Sequence, residues 1–86
     1  MQTRYSKDSI KFLEKQSKDV VNRIRDAISK LKLSPPEGDI SVLKGYTDGR
    51  KRLRVGIFRV IYRTVREGHV EILMIIDIGS RGDIYK

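Results

Sequence analysis

RKRLRVGIFRVIYR, residues 50–63, is the stretch on which the reading of this chain turns. Two runs that mix basic and apolar residues flank Gly56-Ile57, and glycine at the first of two central positions marks a type II′ turn between antiparallel strands. That turn fixes the register. Val55 faces Phe58, Leu53 faces Val60 and Lys51 faces Tyr62, which makes one largely apolar face. The other face carries Arg54 against Arg59, Arg52 against Ile61 and Arg50 against Arg63. Like charges directly opposed across strands cost roughly 0.2–1 kcal/mol each, so a purely structural sheet has no reason to accept them. An anion between them would offset the cost.

The rest of the chain supplies what covers the apolar face. QTRY, residues 2–5, reads as a short strand. Ser6 is placed to cap a helix over residues 7–15, with Ile10, Phe12 and Leu13 turned inward. Ser17 caps a longer helix, in which Val20, Val21, Ile24, Ala27, Ile28 and Leu31 recur at three- and four-residue spacing. Pro35-Pro36 ends this helical hairpin, because proline lacks the backbone donor and forces its predecessor out of helical conformation. PPEGDISVLKGYTDG reads as a loop anchored by Val42 and Leu43. After the hairpin comes a turn at Glu67-Gly68. VEILMIID, residues 70–77, is apolar on both faces, as an interior strand is. A polar tail, residues 78–86, follows. The expectation is an α+β fold: an N-terminal strand, a helical hairpin, then a three-stranded mainly antiparallel sheet with the helices on one face.

Composition bounds the function. Eighty-six residues suit a single domain, 1–86. Lys plus Arg number 19 against 11 Asp plus Glu, a net charge of +8, which favours a polyanionic partner. The chain has no cysteine, and no cluster of His, Asp or Glu has ligand spacing, so neither a metal nor another cofactor is expected. The longest wholly apolar run, ILMII, is too short to span a bilayer, and MQTRYSKDS has no signal-peptide core. A cytoplasmic protein without membrane contact is the expectation. With the helices over the Val55/Phe58 face, the arginine face stays open, and the tail can bring Arg81 and Tyr85 to it. Such a surface suits a phosphodiester.

LKGYTDG, RLRVGIFRVIY and IGSRGDIYK, together with PPEGDI and the two preceding helices, resemble the RelE branch of the RelE/ParE toxin superfamily. The resemblance runs over nearly the whole chain. It implies the RelE-like microbial ribonuclease fold and the toxin of a type II toxin-antitoxin pair: an endoribonuclease, or mRNA interferase, that cuts messenger RNA in the ribosomal A site. It also implies an acidic RelB-like antitoxin partner, contact with ribosomal RNA and mRNA, and operator DNA bound only through the antitoxin. By the same resemblance the catalytic set is Arg52, Arg54, Arg59, Arg81 and Tyr85. Arg50, Lys51, Arg63 and Ser80 are further candidates for RNA contact, Lys51 and Arg50 at the margin. The common tail of the family reads GHRGDVY, so Ser80 stands where many relatives have histidine, and a mechanism using that histidine is closed to this chain.

Other readings compete with these. Basic residues on a hairpin are commonly just a solvated face, a residue as near the terminus as Tyr85 often frays, and His69 in EGHVE reads as an ordinary surface residue. Tyr5, Tyr46 and Phe12 read as core or loop anchors. At the level of function, the alternatives are a ParE-like inhibitor of DNA gyrase, which shares the fold, and a non-catalytic nucleic-acid-binding co-repressor acting with its antitoxin.

Overall fold

In a computed structural model, residues 1–80 are described, and their order is β1 (Gln2–Tyr5), α1 (Lys7–Glu14), α2 (Lys18–Ser29), a short 3-10 turn (Lys30–Lys32), β2 (Asp39–Val42), β3 (Lys51–Val55), β4 (Phe58–Glu67) and β5 (Val70–Ser80). The strands form one five-stranded sheet in the order β1-β5-β4-β3-β2, with β1 parallel to β5 and every other pair antiparallel. The α+β class is as expected, with two differences. Residues 39–42, read as loop, form the edge strand β2, and Val42 is a solvent-facing side chain there instead of an anchor. The strand expected over residues 70–77 continues to Ser80, so the first residues of the polar tail still pair with β4.

The opening hairpin has the register that its turn requires. Val55, Leu53 and Lys51 face Phe58, Val60 and Tyr62. Gly56 has φ +61° and no described residue other than glycine has positive φ, which fits a turn with the left-handed position at its first central residue. The apolar face of this hairpin meets Ile24, Ile28 and Leu31 from the helices and Leu73, Ile75 and Ile78 from β5. Phe12 of α1 sets its ring edge-on to Phe58, with centroids 5.9 Å apart. Helical periodicity on one side and strand alternation on the other therefore converge on one core.

A β-bulge couples the helices to the sheet. Ile61 pairs with Asp77 but Tyr62 pairs with Ile75, so Ile76 is the extra residue on β5. Backbone groups at the bulge reach α1: Ser6 donates its N–H to the Ile75 carbonyl at 2.9 Å and its hydroxyl to the Ile76 carbonyl at 2.7 Å. The same hydroxyl accepts the Ser9 N–H at 3.1 Å, so one serine caps α1 and pins it to β5. Ser17 caps α2 in the same way, accepting from the Val20 N–H at 3.3 Å. No helix among the described residues is long and apolar enough to cross a membrane.

Candidate nucleic-acid interface

On the face of the sheet away from the helices, strand pairing aligns side chains in rows. Asp39 of β2, Arg54 of β3, Arg59 of β4 and Gly79 of β5 form one row. Two residues along lie Ser41, Arg52, Ile61 and Asp77. Arg52, Arg54 and Arg59 thus occupy neighbouring positions of two adjacent rows, with Arg59 on the middle strand of the sheet. Opposite Arg59 the β5 residue is a glycine, which puts no side chain beside it. Arg59 is only 7 % exposed, whereas the Arg54 side chain is about half exposed. A guanidinium stays charged even when buried, so Arg59 holds a fixed positive charge at the floor of this face.

Neighbours orient the other two. Arg52 donates to the Ser41 hydroxyl at 2.9 Å, and Arg54 lies 3.8 Å from the Asp39 carboxylate. Both partners belong to β2, the strand that sequence reasoning missed.

Arg50 and Arg63 are held differently. The Asp48 carboxylate accepts from the Arg50 guanidinium at 2.8 Å and lies 3.8 Å from Arg63. It also accepts the Arg50 backbone N–H at 3.2 Å. The Arg50 side-chain hydrogen bond is the main reason that the Asp48 pKa falls from the ordinary 3.8 to about 2, with the charges of Arg50 and Arg63 adding to it. The anion that the opposed Arg50 and Arg63 require is therefore supplied within the chain. Arg50 in addition lies 4.2 Å over the Tyr46 ring. Tyr46 is more than half exposed, a cation's stacking partner rather than a buried anchor.

Of the remaining candidates, Lys51 faces Tyr62 on the helix side, exposed at its edge, and Ser80 pairs with Phe58, which puts it on the helix side as well. The register does not bring these two together with the arginine rows. Arg81 and Tyr85 lie outside the described residues. Among the described residues there is no group of three or more His, Cys, Asp or Glu that could hold a metal. Tyr62, on the opposite face, has its phenol pKa raised by burial.

Comparisons with known proteins agree with the architecture. The chain superimposes on a chain of the archaeal RelE-RelB complex of Pyrococcus horikoshii OT3 with a TM-score of 0.72, at 26 % identity over 95 % of this chain and 96 % of that one. The RelB-RelE antitoxin-toxin complex from Methanococcus jannaschii gives a TM-score of 0.66 at 25 % identity, covering 94 % and 93 %. A YoeB/ParE toxin from Agrobacterium tumefaciens shares the fold with a TM-score of 0.77 at 24 % identity, covering 94 % and 99 %. No curated protein sequence matches. The family model for the ParE toxin of the type II toxin-antitoxin system parDE matches residues 4–85, which takes in the end of β1, both helices, the other four strands and every arginine of the rows. By that match, which spans both helices and nearly all of the sheet, this chain belongs to the ParE toxin family of type II toxin-antitoxin systems, within the RelE/ParE superfamily.

Proposed function

We propose that this toxin is a ribosome-dependent endoribonuclease that cleaves mRNA in the A site. The observation that supports it best is the triad of Arg52, Arg54 and Arg59, three guanidinium groups on one sheet face, one of them nearly buried. Guanidinium matches phosphate oxygens in a bidentate way, and a preset charge stabilises a developing phosphorane without reorganisation. In the proposed step the ribose 2′-oxygen attacks the adjacent phosphorus. The P–O2′ bond forms, the P–O5′ bond breaks, and the products are a 2′,3′-cyclic phosphate and a 5′-hydroxyl. Tyr85, by resemblance, takes the 2′-hydroxyl proton, and Arg81 serves the leaving oxygen as acid or electrostatic partner. A free tyrosine with pKa about 10 is only ~0.1 % ionised at pH 7, so the neighbouring arginines have to favour the phenolate. Such sparse acid-base equipment suits an enzyme that relies on the ribosome to orient the message.

The antitoxin belongs to the same proposal. Relatives of this fold are found in RelE-RelB complexes, and a +8 chain with an arginine face needs an acidic partner to keep it from binding nucleic acid indiscriminately. Inhibition of DNA gyrase is the second reading, and the matched family model favours it. Programmed ribosomes carrying a defined message, beside the same message free in solution, separate the two. New 5′ ends at the A-site codon that appear only on ribosomes, and fall about 100-fold or more in rate with Arg59→Ala or Tyr85→Ala, fit the ribonuclease. An intact message, with loss of gyrase supercoiling in a parallel assay, replaces it with the gyrase reading.

A further inference from the structure

Beside the arginine triad the same sheet face carries a cleft of about 250 Å³. Ile61 and Ile76 line it from the sheet, Tyr46, Arg50 and Lys44 from the loop between β2 and β3, and Asp77 from β5. Ile61 sits in the row of Arg52 and two residues from Arg59 on β4, so by strand rise the floor of the cleft at Ile61 lies about 7 Å along the strand from Arg59. That is the reach from a phosphate to its own base.

We propose that this cleft is a nucleobase subsite, and that Asp77 reads the base edge through N–H donors. The inference rests on the ribonuclease reading for its choice of RNA as ligand. The lining suits a second phosphate poorly: its floor is apolar, the Asp77 carboxylate offsets the charge of Lys44, and the arginine in its wall is already matched by Asp48. A planar apolar ring suits it. The stacked Arg50 and Tyr46 present flat π-bearing groups of the kind on which unstacked bases settle. Asp48 fixes the guanidinium plane, so the wall is set before a base arrives. Asp77 makes no ion pair among the described residues, and a carboxylate accepts hydrogen bonds only. Guanine offers two adjacent N–H donors to the two carboxylate oxygens. Adenine and cytosine offer an amino group beside a repelling acceptor, and uracil a single N–H between two carbonyls. The order of preference is therefore guanine first and uracil last.

The test is a direct binding measurement that needs no cleavage. Guanosine 3′-monophosphate and uridine 3′-monophosphate are titrated into the isotopically labelled protein, and backbone amide shifts are followed by NMR. The expected result is shifts at Ile61, Ile76 and Asp77, with the guanylate tighter by about tenfold, the discrimination that one bidentate base contact supplies. Asp77→Asn should bring the two affinities together, and Tyr46→Ala should weaken both, each with an otherwise native spectrum. Equal affinities in the unmodified protein, shifts confined to the arginine rows, or a ratio unchanged by Asp77→Asn would overturn the subsite. None of those results bears on whether messages are cut on ribosomes, so the ribonuclease reading stands or falls separately.

Discussion

Asp48 does at the scale of one residue what the whole arginine face was expected to ask of a ligand. The hairpin register alone opposes Arg50 to Arg63 and implies an anion. The structure supplies it from two residues upstream of Arg50, so these two arginines are matched before any external anion approaches. This sets a pH dependence whose sign is fixed. The Asp48 pKa lies at about 2 in the folded chain against an ordinary 3.8, so the carboxylate's stabilising contribution is complete above about pH 4 and is lost as pH falls toward 2. Thermal melts of the unmodified chain and of Asp48→Asn should therefore differ at pH 6 and converge by pH 2. A gap that stays constant across that range would mean that the ion pair does not hold the loop. Asp48 could have been noticed in the sequence, since TDGR places an acidic turn residue two before an arginine, but a net charge of +8 draws attention to the basic residues and away from the few acids that organise them.

At the scale of elements, the caps and the bulge carry different weight even though both helices begin with serine. Ser17 satisfies one N–H at an exposed helix start, whereas Ser6 caps α1 and also donates to the bulge carbonyl of Ile76. Ser17→Ala should cost about 0.5–1 kcal/mol, within the usual range for a cap. Ser6→Ala should cost more, about 2 kcal/mol, because a part-buried carbonyl loses its donor as well. Urea unfolding of the two variants measures both, and equal losses would show that the bulge contact adds nothing. Gly56→Ala forces a Cβ into the left-handed region at φ +61° with open space around it, so its cost, about 1–2 kcal/mol, is backbone strain without a clash. The same denaturation experiment gives it. The hairpin was legible because a period of two and one glycine at the turn determine every pairing in it. Strand β2 was not, because DISV alternates polar and apolar over only four residues and follows PPEG, too short a run to tell from a loop. The bulge at Ile76 was hidden inside a uniformly apolar run, where adding one residue changes no pattern. Without β2, Asp39 and Ser41 cannot be placed beside the arginines, so the charges of the site were readable and their partners were not.

Over the whole molecule, the sheet divides two tasks between its faces. One is sealed by α1 and α2 and holds the core, which leaves the other to carry charge. A net charge of +8 attracts polyanions in general, but it does not say which cations make contact, and salt dependence does. Each phosphate neutralised on a single strand contributes about 0.7 to the slope of log K against log salt. Arg52 and Arg54 line the face without being buried, and neither sits in the core, so Arg52→Gln with Arg54→Gln should leave the fold intact and reduce the slope for a short single-stranded RNA by about 1.4. Arg50→Gln with Arg63→Gln removes the same formal charge from the same face, yet Asp48 already shares its charge with both. Its slope should fall by less, about 0.7 at most. Fluorescence anisotropy across a salt series compares the two pairs directly. If charge alone governed binding, the two double variants would behave alike; a difference in slope means that the internal carboxylate selects which arginines meet phosphate.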